Sequence, residues 1–509
     1  MSSVRVVAGR VKRQLKKVLG SPSTDETPLA APSPAPRTVA APEVPDSPDE
    51  YEKFRMNRRQ DDQPEVTKYV PYLLHSALPH SSNGYAIRSH GILTALRAQG
   101  WDAVGITQPG FGRPKGESYE PNPETGELPD FHKGELVDSV PYRHLNYPAT
   151  GPGRDKINAY VADYVARIRE EIGDRKPLLI HAASNHLNGL AAIFAANELG
   201  IASIYEVRGL WEVTRRGNQP TFFYHPNYHH IAELETQAAR EATYCIAISE
   251  QLKEELVFRG VPEDRIFVAP NGTDPDRHTP EPVDEALREE LGLHNKFVVG
   301  YVGSVVAYEG LDLLVEAAKL LGDSVPNLHV LIVGDGENFV RLERLVRFLG
   351  VQDRVTLTGR VPHDDVGRYS SLIDVVALPR TPLMVSDLVP PLKPFEAMAQ
   401  ERPVLVSDVA TMVEFIDDGV NGFVFRRGDA RALARKIAEL EEDRELLARV
   451  GKYSRQWVIE NRTWAHSAEV ISAVYDRVWD EAQESRRRQA SARPTPVPAP
   501  AQVPESPTA

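Results

Sequence analysis

The stretch Phe297 to Leu321 reads FVVGYVGSVVAYEGLDLLVEAAKLL. Its opening run, Phe297 to Val302, is apolar with no polar face, as expected of a strand covered on both sides in a parallel sheet. Gly303 to Gly310 then form a short glycine-bounded loop, and Leu311 to Leu321 carries apolar residues at helical spacing. Strand, glycine loop and helix make one βα unit, whose loop is a candidate for close backbone approach to an anion, or an ordinary structural turn.

The same alternation extends both ways along the chain. Downstream, the apolar runs predict strands over His329–Val333, Val355–Leu357, Val375–Leu378, Val404–Val406 and Gly422–Phe425, with helices including Phe339–Leu349 and Ala430–Leu440. Upstream they predict strands over Tyr69–Leu74, Ala103–Thr107, Leu178–Ala182, Ser203–Val207, Tyr244–Ile248 and Ile266–Ala269, with helices such as Tyr85–Ala98 and Gly189–Leu199. The fold class is therefore α/β, two doubly wound Rossmann-like parallel-sheet domains in tandem, joined near residues 272–296. Boundaries follow: 1–64 as a basic amphipathic start and linker, 65–278 as the first domain, 279–453 as the second, 454–484 as a helix returning to the first, and 485–509 as a tail.

Composition narrows the function classes. The chain has 509 residues, 41% of them hydrophobic and 26% charged, the balance of a water-soluble globular protein. Its net charge of −13 argues against a general nucleic-acid binder, which needs an excess of Lys and Arg. The single cysteine, Cys245, lies in an apolar run and reads as core. No run is long and apolar enough for a membrane span, and the start lacks a secretion signal, so a cytoplasmic location is expected. Residues 21–64 and 485–509 are Pro- and Ala-rich tails. Before the first tail, Val4, Val7, Val11, Leu15 and Val18 recur at helical spacing among Arg5, Arg10, Lys12, Arg13, Lys16 and Lys17. Residues 4–19 are thus a candidate for peripheral contact with an anionic membrane, the alternative being an unfolded basic start.

In doubly wound sheets, ligands lie beyond the carboxyl ends of the strands. After the first strand comes a small polar loop, Pro79 to Gly84, opening onto a helix, with Asn83 and Gly84 as candidate phosphate contacts. In the second series Gly303 and Ser304 occupy the equivalent place. Gly334, Asp335 and Gly336 repeat the pattern after the next strand, where a simple turn explains them. The stretch Arg380 to Asp408, RTPLMVSDLVPPLKPFEAMAQERPVLVSD, ends a strand in Arg380, crosses a Pro-rich loop and starts a short helix with Lys393 and Glu396. A carboxylate there can accept two hydrogen bonds from a ribose diol while Lys or Arg meets phosphate, or it can simply complement the helix dipole. His181 and His186, at another strand end, are either cleft residues or satisfied structural histidines. No His/Asp/Cys set shows metal-ligand spacing.

Taken together, YVGSVVAYEGLDLLVEA, LIVGDGENFVRLERLV, VTLTGRVPHDDVGRYSSLIDVVALPR and PFEAMAQERPVLVSD, with CIAISEQLKEEL and RIFVAPNGTD before them, resemble the retaining family-4 glycosyltransferases of the GT-B fold. The resemblance covers about residues 68 to 480. It implies an enzyme moving a sugar from a nucleotide-sugar donor to a glycan, lipid-linked or small-molecule acceptor with retention of configuration, in envelope polysaccharide or glycoconjugate synthesis, with no cofactor and no metal. The donor would sit mainly on the second domain and the acceptor against the first. It further implies Glu396 at the ribose, Arg380 and Lys393 at the diphosphate, Gly303 and Gly84 at close backbone approach, Gly359, Arg360 and Val361 at the base side, and Arg208 facing sugar or acceptor.

Three departures stand out. The family pairs two glutamates eight positions apart, but Leu388 stands eight before Glu396, with Asp387 adjacent. Ser304 and Glu309 stand where the family often supplies a basic pair. Arg208 replaces a common sugar-contacting histidine. Two rival readings follow: a nucleotide-sugar epimerase, or a non-catalytic binding or scaffold protein that retains the fold. Oligomeric state is not legible from the chain.

Overall fold

Apolar runs too short for helices become strands when glycine or polar loops bound them, and the chain forms two such sets. The computed structural model describes residues 67–111, 134–145 and 156–491, all within one compact unit. The N-terminal segment 4–19, the rest of 1–66 and residues 492–509 lie outside the described residues.

The first set runs β1 (Tyr69–Leu74), β2 (Asp102–Thr107), β3 (Glu135–Val137), β4 (Val140–His144), β5 (Leu179–Ala183), β6 (Ala202–Val207), β7 (Tyr244–Ala247) and β8 (Ile266–Val268). These form an eight-stranded sheet in the order β3-β4-β2-β1-β5-β6-β7-β8, parallel except for β3. The second set is β9 (Phe297–Val302), β10 (Leu328–Val333), β11 (Val355–Leu357), β12 (Val375–Leu378), β13 (Val404–Ser407) and β14 (Phe423–Phe425), in the order β11-β10-β9-β12-β13-β14, all parallel. Every residue of β1 and of β10 is buried, which is why these strands read as continuous apolar runs. Strand order reverses between β1 and β5 and between β9 and β12. Loops diverge at such switch points, so the crevices for ligands lie beyond the carboxyl ends of those four strands.

The lobes are stitched by two crossings. One is the linker after β8, the other the junction of the helices Arg444–Asn461 and Trp464–Ser491; Thr273 N–H donates to Arg462 O at 2.9 Å, and Trp464 N–H to Thr273 O at 3.3 Å. The last helix buries Trp464, Ala468, Ile471, Val474 and Tyr475 in the core of the first lobe, beside Ile92 and Leu96 of the helix Gly84–Ala98. It also runs past residue 484, where the tail was expected to begin; an Arg488–Glu484 pair at 3.3 Å, one turn apart, supports the added turns. A third contact comes from the short helix Met384–Leu388 after β12: its Val385 and Leu388, from the second lobe's sequence, join the first lobe's core. Cys245 is buried, its thiol donating to Ala239 O and pushed by burial up to about 12, an inert core residue. Among the described residues no helix is long and apolar enough to cross a membrane.

Candidate active site

At the end of β9 the backbone turns through Gly303, whose φ of +142° is one that side-chain-bearing residues rarely adopt. Its N–H donates to Val333 O at 2.9 Å, and the Gly334 N–H donates to Gly359 O at 3.0 Å. A Cβ on Gly334 would stand 2.0 Å from Gly303 O, so the loops after β9, β10 and β11 stack as bare backbone. Over this floor lies Lys393, first residue of the helix Lys393–Ala399: a Cβ on Gly303 would come within 2.3 Å of its Cε. Gly359 joins this edge through its carbonyl and Val361 packs partly buried against the second lobe's core, while Arg360 and Ser304 are exposed.

Charge at this edge is arranged around a buried acid. Glu309, 2% exposed, closes the loop after β9; its Oε1 lies 3.1 Å from Lys393 Nζ and its Oε2 3.9 Å from Arg380 Nε. Burial would raise the Glu309 carboxyl, but Lys393 and Arg380 together outweigh it and hold the group below its ordinary value. The two cations differ in access. Arg380 is 2% exposed, donates through Nη1 to Val389 O at 2.7 Å and stacks its guanidinium over the Tyr308 ring at 5.4 Å. The Lys393 side chain is 21% exposed, with its ammonium 5.3 Å from the Tyr301 ring centroid. Sequence placed both on a ligand phosphate; the geometry leaves that reach to Lys393 and makes Arg380 an internal counter-ion.

Glu396, one turn along the same helix, is half-buried, and among the described residues nothing pairs with its carboxylate. Asp387 does not supply a second open acid. Its Oδ1 accepts from Ala410 N–H at 2.9 Å and from Arg427 Nη1 at 2.7 Å, which ties down the loop after β12.

Across the crevice stands the loop after β1. Asn83 Oδ1 caps the helix Gly84–Ala98 by accepting from Ala86 N–H at 3.0 Å and from Ser76 Oγ at 3.1 Å, so its amide is a structural cap. A Cβ on Gly84 would lie 3.6 Å from Leu392 Cδ1, the residue before Lys393. Residues more than 300 positions apart in sequence thus face each other. The facing surfaces are held by polar bonds between lobes: Asn271 Nδ2 donates to Pro390 O at 2.8 Å and Ser249 Oγ to Leu388 O at 2.7 Å.

Arg208 is in a different place from the one expected. It is 4% exposed, and its guanidinium donates to Glu206 Oε2 at 2.7 and 2.9 Å, Tyr72 Oη at 2.8 Å, Ser89 Oγ at 2.7 Å and Tyr85 O at 2.9 Å. Arg88, equally buried, donates to Glu206 Oε1 at 2.8 Å and to the carbonyls of Ala269 and Pro270. A carboxylate taken out of water must be paired, and Glu206 is paired twice, which outweighs its desolvation and depresses its carboxyl far below the usual range. With its donors so committed, Arg208 braces the ends of β1 and β6 rather than meeting a sugar. Sequence reasoning missed Arg88 and Glu206; Glu206 directly before the end of a buried strand was the available signal. His181 belongs to the same cluster, stacked on Tyr72 at 4.0 Å with Nδ1 2.6 Å from Tyr475 Oη, and burial lowers it to about 3. His186 is paired with the buried Glu235 at 3.1 Å. Both are buried structural histidines, though His181 Nε2 has no hydrogen-bond partner and lies 3.7 Å from Glu206 Oε2.

Sequence spacing marked no metal-ligand set, but the fold brings one candidate group of donors together. His80 Nε2 lies 2.7 Å and His144 Nε2 3.8 Å from Glu135 Oε1, and one ligand atom from each residue lies within 4.8 Å of the others. Two imidazoles and a carboxylate suit zinc or iron(II) as a donor set. Residues from a loop, the edge strand β3 and its neighbour β4 meet only through the fold, so no spacing could reveal them. A cavity of about 590 Å³, lined by Lys319, Arg426 and Arg431 among others, shares no residue with the glycine edge.

Known proteins match this chain over most of the described region. The family model described as glycosyl transferase 4-like domain matches residues 83–272, and that described as glycosyl transferases group 1 matches residues 283–457. Alpha-D-kanosaminyltransferase of Streptomyces kanamyceticus is 25% identical over 319 residues, 61% of this chain and 79% of that protein. A GDP-mannose-dependent alpha-(1-6)-phosphatidylinositol monomannoside mannosyltransferase of Mycolicibacterium smegmatis is 32% identical over 212 residues, 40% of this chain and 55% of that protein. The solved sucrose-phosphate synthase from Thermosynechococcus elongatus shares the fold with a TM-score of 0.64 at 22% identity, over 81% of this chain and 99% of that one. Both lobes are matched, in order, on either side of the crevice where Gly84 faces Leu392, and the chain belongs to the family-4-like group 1 glycosyltransferases, enzymes of the GT-B fold with a nucleotide-sugar donor.

Proposed function

We propose that the chain transfers a hexosyl unit from a nucleoside-diphosphate sugar, held at the glycine edge of the second lobe, to a lipid-linked, glycan or small-molecule acceptor entering from the first lobe, with retention of anomeric configuration. One observation carries the reading: a partly exposed ammonium, Lys393, lies over bare backbone at Gly303, one turn from the unpartnered carboxylate of Glu396, while the preceding residue, Leu392, faces Gly84 of the other lobe.

The chemistry requires negative charge to grow on the departing diphosphate while an acceptor hydroxyl attacks the anomeric carbon. Fixed donors stabilise that charge best, because they need no reorganisation at the moment of reaction. Lys393 is such a donor, and bare backbone at Gly303 and Gly84 lets the diphosphate approach closely. Glu396 accepts the ribose hydroxyls, and Gly359, Arg360 and Val361 border the base. The attacking hydroxyl enters on the leaving-group face, its proton passing to the departing phosphate oxygen. The similar proteins act on a lipid-linked mannoside in one case and carry the name of an aminosugar transferase in the other, which supports an acceptor in glycoconjugate synthesis. Residues 4–19 would bring the enzyme to the inner face of an anionic membrane.

The test is a thermal-shift panel of UDP-, GDP- and other nucleotide sugars on the full chain and on Glu396→Ala. A ligand bound only by the folded state raises the melting temperature. At least one nucleotide sugar should stabilise the wild type, and the variant should bind it about 10- to 150-fold more weakly, the worth of a charge-assisted hydrogen bond. Stabilisation by no nucleotide sugar, or equal stabilisation of both proteins, would contradict the site.

A further inference from the structure

We propose that Glu309 is a positioning residue for sugar transfer: it holds the Lys393 ammonium at the glycine edge, and the donor's diphosphate then shares that ammonium with it. The inference rests on the reading of Lys393 given above.

A carboxylate that is 2% exposed in the loop of a ligand crevice needs a reason, since desolvating it is costly unless cations compensate. Glu309 has two, and they are not equivalent. Arg380 is buried and anchored to Val389 O, so it stays beside Glu309 whatever enters the crevice. Lys393 reaches Glu309 from the open side, its stem against Gly303 and its ammonium near the Tyr301 ring. One carboxylate between two cations leaves the group with an excess positive charge, and that excess is at the exposed member. Lys393 can therefore turn part of its charge toward an arriving diphosphate without leaving Glu309 bare, because Arg380 remains. A long lysine side chain gives up rotamer freedom when fixed, and here Glu309 fixes it before the donor binds. The arrangement also accounts for a departure in the sequence. Where the resemblance expects a cation on the loop, this chain has the acid there and puts the cation at the start of the helix Lys393–Ala399.

Variants of the full chain separate this role from a merely structural one. Glu309→Asp keeps a counter-ion for Arg380 but draws the carboxylate back by one methylene from Lys393. It should melt like wild type, bind UDP or GDP within about threefold of wild type by calorimetry, and turn over the nucleotide sugar about 10-fold more slowly, a kcat effect with little change in binding. Glu309→Gln should lower kcat further. In a Lys393→Met background either change should add nothing, because residues acting through one another are non-additive. Wild-type kcat in Glu309→Asp, or losses that multiply with those of Lys393→Met, would overturn the proposal. Full turnover in Lys393→Met alone would sink the site reading beneath it as well, whereas a slow Lys393→Met with an unimpaired Glu309→Asp would sink this inference only.

Discussion

Replacing Gly303 by alanine tests the glycine edge with a single methyl group. Two costs are built into the position. The φ of +142° lies where a Cβ is strained, by about 1 to 3 kcal/mol. The new Cβ would also stand 2.3 Å from Lys393 Cε, whereas carbon atoms rest at about 3.5 to 4.0 Å, so the ammonium stem must move by more than about 1 Å. A displacement of that size at a reacting group costs about 10²-fold in rate. Gly292→Ala is the control, since its φ is also positive, +66°, and nothing lies within 4 Å of its Cβ. Melting by differential scanning fluorimetry and nucleoside diphosphate release from the donor should be measured for both. Both variants should lose a few degrees of melting temperature, and only Gly303→Ala should lose about two orders of magnitude in turnover. Wild-type turnover in Gly303→Ala, or an equal loss in Gly292→Ala, would refute the argument that this backbone is bare to seat Lys393.

Two further outcomes follow from the buried charges. His181 titrates at about 3 when folded, against about 6.5 in an unfolded chain; the unfolded state therefore binds the extra proton first, and stability should fall as pH drops below 6.5, by up to about 1.4 kcal/mol per unit. Melting curves between pH 7 and 5 should show a shallower slope for His181→Asn, and an unchanged slope would count against a neutral buried imidazole. Arg380→Met should destabilise the fold, by about 3 to 5 kcal/mol if Lys393 cannot compensate for Glu309, while Lys393→Met should leave melting nearly unchanged and depress turnover; the reverse pattern would mean that the roles of the two cations are exchanged.

Much of the architecture was legible because physical rules act locally. Phe297–Val302 and Leu311–Leu321 declare themselves by an apolar run, a glycine break and a change of period, and the structure has the strand and the helix at those residues. That Lys393 and Glu396 share the start of one short helix was legible for the same reason, being a matter of near neighbours in sequence. β3 was not, since it has three residues and Leu136 is 73% exposed, so no alternation marks it. What sequence cannot show is where a long cation points. Arg208 and Arg380 stand at strand ends in the right places for a ligand, yet Glu206 and Glu309 hold them inside the protein. The His80, Glu135 and His144 cluster was hidden because its members meet only when the edge strand β3, its neighbour β4 and a loop pack together.

The central claim is that the chain moves a sugar to an acceptor at the crevice between Gly84 and Lys393. The direct measurement is the product of a reaction between the nucleotide sugar that stabilises the full chain and a hydroxyl acceptor, followed by proton NMR at the anomeric carbon. The account predicts one new glycosidic bond per nucleoside diphosphate released, with the donor's anomeric configuration kept and the yield lost in Lys393→Met. An epimerised nucleotide sugar, release of nucleotide with no glycoside formed, or a glycoside of inverted configuration would contradict it.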